Sequence, residues 1–445
     1  MYDAGVTPEA KGAWKEMYQE KLCTAEAAAA AVENGERIAM SGGTCIPPAF
    51  SRALSARAGD VKDLVLSLGY TMDLYGFMDP ANRESFFIET MFVGPVERIC
   101  MQQGMAQYVP IHLGDVPAYA HSMDFDCVAH VVSPPDENGY MSRSLFAAFV
   151  DKPLIEKARR VVVEVNKNMP RLASDDFMIH VSEVDFIIEQ DGPVFEVPEI
   201  TITETEKKIA GYIADLIQDG DTIQLGFGGL ANAIGHNLMS KKDLGMYTEV
   251  VTPSVMELMK AGVINNKKKN YMPGKVVGAF AVGTQEFYDY IHENEDFVFM
   301  DIGTVNNPLN IAKNDNLVSI NNALMIDLTG QAASESIGTF QYSGTGGQVN
   351  FVQGAKMAKN GRSVLALNSS FTDKEGNLKS KIVPTFAEGT VVTTPRTDVE
   401  YVVTEYGVAN LRYQSISKRV EALIAISHPD FRDELREQAL KHKWL

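Results

Sequence analysis

The sequence predicts an α/β fold with mainly parallel sheets, built as two similar domains in tandem. Three observations predict it. Val- and Ile-rich strands alternate with helix-length segments along the chain, the order that yields parallel sheets through helical crossovers. The stretch from Thr24 to Leu54 is echoed from Thr203 to Leu238, and a single echo of that size is too large for a solenoid repeat. The chain has 445 residues, 45% of them hydrophobic, enough to bury more than one core.

In the first copy a helix leads through an Asn34-Gly35 turn to the strand Arg37-Ile38-Ala39-Met40, and Ser41-Gly42-Gly43 then opens a second helix. Val161 to Val165 is a further strand. Between Gln190 and Thr203, Asp191-Gly192-Pro193 and Pro198 interrupt the periodicity, which places the domains at residues 1–198 and 199–445. The second copy starts on a capping box, Thr203 with Glu206, followed by the apolar face Ile209, Ile213, Leu216 and Ile217. An Asp219-Gly220 turn, the strand Thr222 to Leu225 and the loop Gly226-Phe227-Gly228-Gly229 come next, before a helix expected near Asn232. Gly35 falls on Gly220 and Gly43 on Gly228 at one constant offset. Ser363 to Leu367 supplies another strand, and the first ~15 residues read as a loosely attached arm.

Forty basic residues against fifty-eight acidic ones give a formal net charge of −18, a field that repels nucleic acid and anionic membranes. Any polyanionic ligand therefore needs locally clustered Lys, Arg or backbone N–H groups. No apolar run approaches the roughly 20 residues that span a bilayer, and no signal-peptide pattern opens the chain. Cys23, Cys45, Cys100 and Cys127 are scattered without a C-x-x-C pair, which fits reduced thiols in the cytoplasm and no metal site. The histidines form no H-E-x-x-H pair and there is no G-x-S-x-G elbow, so zinc and Ser-His hydrolysis are disfavoured. Cys45 has nothing beside it that would lower its pKa and is read as structural.

Several segments carry candidate chemistry. The loop Gly226 to Gly229 either cradles a phosphate or oxyanion at a helix N-terminus or is a plain tight turn. It also approximates a dinucleotide fingerprint, Gly226-x-Gly228-x-x-Ala231, with Glu249 about 20 residues on. Glu249 is the lone carboxylate in the strand-like run Met246 to Val251, so it faces solvent or sits at a strand end, where open α/β sheets place their sites. Gly344-Thr345-Gly346-Gly347-Gln348 combines three glycines with donors and acceptors. Asn321 and Asn322 follow one strand-like run and Glu405 another. Lys267-Lys268-Lys269 is a solvated face or a phosphate clamp.

Together these segments resemble the 4-hydroxybutyrate and butyryl-CoA:acetate CoA-transferases, within the acetyl-CoA hydrolase/transferase family. The resemblance runs from Asp243-Leu244-Gly245 through Tyr247-Thr248-Glu249 to Lys269, and through LGFGGLANAIG, SINNALMIDLTGQ, ASESIG, SGTGGQVNF and YVVTEYGVANL; EVNKNMPR and SHPDFRDEL share it. It implies two CoA-transferase-like α/β domains with the active site in the interdomain cleft, usually in a homodimer or larger homo-oligomer. By the family's motif Glu249 is the nucleophile, with Tyr247 where His is common, and Asn321 is the amide acting near the thioester. Gly344, Gly346, Gly347 and Gln348 fall on the oxyanion and substrate loop, and Gly226, Phe227, Gly228 and Gly229 on the CoA side, where Lys269 of the basic run is the candidate cation. The substrates implied are an acyl-CoA, leaning to a four-carbon donor, and a short carboxylate such as acetate. CoA enters as a substrate and no cofactor is tightly bound. An acyl-CoA hydrolase on the same scaffold and an NAD-dependent dehydrogenase are the alternatives.

Overall fold

The computed structural model describes residues 12–197 and 201–445, so most of the expected N-terminal arm and Pro198 lie outside the described residues. The chain divides into two compact units, Met1–Val197 with Gly278–Val305, and Pro198–Val277 with Asn306–Leu445. Residues 278–305 thus cluster with the first unit although they follow the boundary expected at 198/199. Strand and helix periodicity does not encode which sheet a segment joins.

The first unit holds a seven-stranded sheet from Arg37–Met40 (β1), Leu64–Leu68 (β2), Phe86–Thr90 (β3), Ala106–Tyr108 (β4), Cys127–Val132 (β5), Arg160–Val165 (β6) and Phe186–Glu189 (β7). Its order is β4-β3-β2-β1-β5-β6-β7 and every pairing is parallel. Alternation along the strands sends side chains to two separate cores. Ile38, Met40, Leu66, Ala129 and Val162 join one; Ala39, Val128, Val161, Val163 and Val165 join the other. Helix Ala25–Ala30 (α1), capped by the Thr24 hydroxyl, enters β1, and helix Pro48–Ser55 (α2) follows its glycine turn.

The second unit repeats the plan. Helix Glu204–Leu216 (α3) carries the expected capping box, Thr203 Oγ1 accepting from Glu206 N while the Glu206 carboxylate accepts from Thr203 N. Its residues Ile209 and Ile213 are fully buried. Strand Thr222–Gln224 (β8) and helix Gly229–Asn237 (α4) follow, the helix starting three residues earlier than expected. With Gly245–Met246 (β9), Leu317–Asn322 (β10), Arg362–Ala366 (β11), Tyr401–Thr404 (β12) and Gly407–Asn410 (β13), the sheet order is β9-β8-β10-β11-β12-β13, parallel except for the last pair. Gly35 and Gly220 both take positive φ at matching turns, as the echo requires. Among the described residues no helix is long and apolar enough to cross a membrane.

Candidate active site

Glu249 does not lie in a continuous strand. It occupies the break between β9 and the two-residue strand Val250–Val251, at the C-terminal end of the parallel sheet. The approach to it is clamped from several sides. Met246 N donates to Asn266 Oδ1 at 2.8 Å, and Met246 O accepts from Lys269 Nζ at 2.8 Å. Tyr247 N donates to Ile223 O, Thr248 N to Val277 O, and the Thr248 hydroxyl to Leu225 O at 2.9 Å. Tyr247 is fully buried, its ring against Phe351 and Tyr271. The backbone before Glu249 has little freedom, and the carboxylate inherits that order.

The Glu249 carboxylate meets two elements distant in sequence. Asn306 Nδ2 donates to Oε2 at 2.5 Å, its one hydrogen bond among the described residues. Gly347 lies so close that a Cβ there would overlap both Glu249 Oε2 and Asn306 Nδ2, so any side chain at this position displaces the pair. Gly347 is also the N-cap of helix Gln348–Met357 (α5), whose first N–H groups lack intrahelical acceptors and whose dipole favours negative charge at this end. Loss of hydration pushes Glu249 up to about 7, and the Asn306 hydrogen bond opposes the shift. The residue is only partly buried. A carboxyl poised near neutrality, partly open and bounded by neutral donors, suits a nucleophile or proton carrier better than a structural ion pair.

Asn306 itself is fully buried, and its Oδ1 has no partner among the described residues. An orphaned buried acceptor costs about 1–3 kcal/mol, and here the orphaned oxygen belongs to the amide that holds the Glu249 carboxylate. The sequence reading missed this residue. Asn306-Asn307-Pro308 reads as a helix-start turn, and Asn307 does cap the turn from Pro308. Nothing in the one-dimensional pattern separates the two asparagines.

Other expected site residues fall into place unevenly. Gly228, with φ of +113°, is the N-cap of α4 and has no side-chain cap, and apart from its chain neighbours no heavy atom of the described residues lies within 4 Å of where a Cβ on Gly226 or Gly228 would sit. Phe227 between them is exposed. The loop thus leaves its helix N-terminus open to an anion, with glycine required at 228 by the left-handed backbone. Asn321 sits at the end of β10 with its amide paired to Gln224 of β8, at 3.2 and 3.4 Å. The amide on Glu249 belongs to Asn306. Gln348 is buried and its Nε2 donates to Thr394 Oγ1 at 2.9 Å, which anchors the start of α5.

Lys269, expected at the CoA phosphates, requires correction. It is 3% exposed, its Nζ donates to Met246 O and Lys275 O, and burial lowers its pKa to about 7. A lysine spent on two interior carbonyls cannot reach a phosphate; Lys267 and Lys268 are the exposed members of the run. Cys45 is buried, its thiol pushed up to about 12 by burial, as a structural cysteine would be. Among the described residues no group of three or more His, Cys, Asp or Glu could hold a metal ion.

Comparison with known proteins decides the family. Residues 9–198 match the acetyl-CoA hydrolase/transferase N-terminal domain and residues 283–439 its C-terminal domain. The chain belongs to the acetyl-CoA hydrolase/transferase family. It is 40% identical to 4-hydroxybutyrate coenzyme A transferase of Clostridium kluyveri, over 96% of this chain and 99% of that one. It is 41% identical to succinyl-CoA:cyclohexane-1-carboxylate CoA transferase of Geobacter metallireducens, over 97% of each. Identity to butyryl-CoA:acetate CoA-transferase of Anaerostipes caccae is 36%, over 96% and 98%. The crystal structure of RipA from Yersinia pestis superposes with a TM-score of 0.90 at 36% identity, covering 97% of this chain and 99% of that one.

Proposed function

We propose that this chain moves CoA between a short-chain acyl-CoA and acetate through a covalent glutamyl-CoA thioester on Glu249. The observation that carries this reading is the Glu249 carboxyl itself. It is held near neutrality, partly open, against the Asn306 amide and the glycine-capped N-terminus of α5.

The chemistry follows from conserving the thioester's energy. A Glu249 carboxylate oxygen attacks the acyl-CoA carbonyl carbon, and the tetrahedral oxyanion collapses by expelling CoA thiolate to leave a mixed anhydride. The thiolate then attacks the glutamyl carbonyl and expels the acyl group as its free carboxylate, leaving glutamyl-CoA. Acetate repeats the sequence in reverse: its oxygen displaces the thiolate from the glutamyl carbon, and the thiolate attacks the acetyl carbonyl to release acetyl-CoA and Glu249. Each step passes through an oxyanion. The Asn306 amide and the backbone N–H groups around Gly346 and Gly347 are the donors assigned to it. The open loop Gly226 to Gly229 is assigned to CoA, and the chain to a cytoplasmic homo-oligomer.

The relatives' names favour a four-carbon donor, while the equally similar enzyme named for a cyclohexane carboxylate widens the range to bulkier acids. A panel of acyl-CoA donors against acetate ranks them.

The test is trapping. Butyryl-CoA with borohydride inactivates the enzyme by reducing the thioester at Glu249, and mass analysis places the adduct there. An enzyme that resists inactivation while turning over does not work this way. Comparing acetyl-CoA formed from added acetate with free thiol released in its absence separates transfer from hydrolysis.

A further inference from the structure

The glycine loop beside Glu249 is braced by a carboxylate that takes no part in the chemistry above. Glu335 is 5% exposed and lies between two short strands, Ala332–Ala333 and Ser336–Ile337. Its Oε2 accepts the Thr345 hydroxyl at 3.1 Å and its Oε1 the Thr393 hydroxyl at 3.0 Å. Its backbone carbonyl accepts Tyr342 N at 2.8 Å and Ser343 N at 3.0 Å, the residues leading into Gly344. The next residue of the same support, Thr394, accepts Gln348 Nε2 at the far end of the loop and pairs its backbone with Ala332. The loop is therefore pinned before, within and after its glycines to two paired segments around Glu335 and Thr394, Glu335 supplying the first pin through its backbone carbonyl and the second through its carboxylate.

We infer that Glu335 is a positioning residue: through Thr345 and Thr393 it sets the distance of the Gly344–Gly347 loop from the Glu249 carboxylate. The argument is steric as well as polar. Gly347 already approaches Glu249 and Asn306 too closely for a Cβ, so an inward shift of the loop collides with them and an outward one withdraws its N–H donors from the oxyanion. Misplacement on the order of 1 Å can cost ~10²-fold in rate. A carboxylate suits the task because it accepts two hydroxyl donors at once, whereas an amide offers one accepting oxygen. The inference rests on reading Glu249 as the acyl acceptor.

The experiment measures the rate of adduct formation with butyryl-CoA and borohydride, alongside kcat, KM and unfolding temperature, in the full-length wild type and in Glu335→Gln, Glu335→Ala and Thr345→Val. The expected result is trapping slowed ~10- to 100-fold in Glu335→Ala and ~10-fold in Thr345→Val, with partial rescue in Glu335→Gln and KM for acyl-CoA within about threefold of wild type. Thr345→Val is expected to keep the wild-type unfolding temperature, so its slowing is not a loss of fold. Wild-type trapping rates in Thr345→Val and Glu335→Gln, or a rise in KM with kcat unchanged, overturn the inference. A wild-type enzyme that forms no adduct removes the reading of Glu249, and this inference with it.

Discussion

The two copies of the glycine turn have the same local grammar and opposite fates. In the first unit the space over Gly42 and Gly43 is filled by the Phe146 ring, which would overlap any Cβ on Gly43 and stacks with Tyr70, Phe149 and Phe280. The helix that follows has its first N–H groups taken: Ala49 N and Phe50 N donate to Glu164 Oε2 at 2.8 and 3.2 Å. In the second unit, among the described residues, nothing stands over Gly226 or Gly228, and the N-cap of α4 has no side-chain partner. A helix N-terminus attracts an anion in either case. One unit satisfies it with its own carboxylate, whereas the other gives it no side-chain cap among the described residues.

The same contrast separates two carboxyls that burial pushes to about 7, Glu164 and Glu249. Glu164 is 1% exposed and accepts two backbone N–H bonds, so it is a cap with no route to substrate. Glu249 is partly open and has a single side-chain donor. A perturbed pKa alone does not distinguish them; access does.

The largest effect expected from breaking this contrast is at the carboxyls. Glu249→Ala should lose transfer on the order of 10³-fold or more and all trapping, whereas Glu164→Gln should stay within about threefold and register as a stability loss of about 1–3 kcal/mol. Equal losses of turnover in both variants would erase the distinction. Next comes the amide: Asn306→Ala should lower kcat ~10²-fold, while Asn321→Ala, whose partner is Gln224, should cost less. The reverse order would return the oxyanion role to Asn321. Third, Gly228→Ala should raise KM for acyl-CoA ~10-fold through its strained left-handed backbone and lost approach, whereas Gly43→Ala should leave KM alone and lower the unfolding temperature. Steady-state kinetics with thermal unfolding on the same samples checks both.

The smallest expected effect is on stability against pH. Glu249 has a folded pKa above its unfolded value, so the native state holds the proton more tightly. Its contribution to stability is present at low pH and is lost as pH rises from about 4.5 through about 7. Glu249→Gln should therefore raise the unfolding temperature by roughly 2–4 °C at pH 8 and leave it unchanged at pH 4. The rate of the first half-reaction, which needs the carboxylate, should rise across the same interval in the wild type.

Local patterning was enough to reveal the alternating strands and helices, the repeat and the capping box at Thr203, but it left Glu249 as either a solvent-facing acid or one at a strand end, and only the family resemblance singled it out. Those features depend on neighbours a few residues apart, where periodicity, turn chemistry and capping operate. The rest depends on which distant segments pack together. Asn306 reaches Glu249 from another element, and residues 278–305 cluster with the first unit. Phe146 fills one glycine turn and not the other, and Lys269 turns inward to two carbonyls while its neighbours stay in solvent. Each of these outcomes was set by burial and by hydrogen bonds between residues far apart in the chain, quantities that a linear pattern of residue types does not contain.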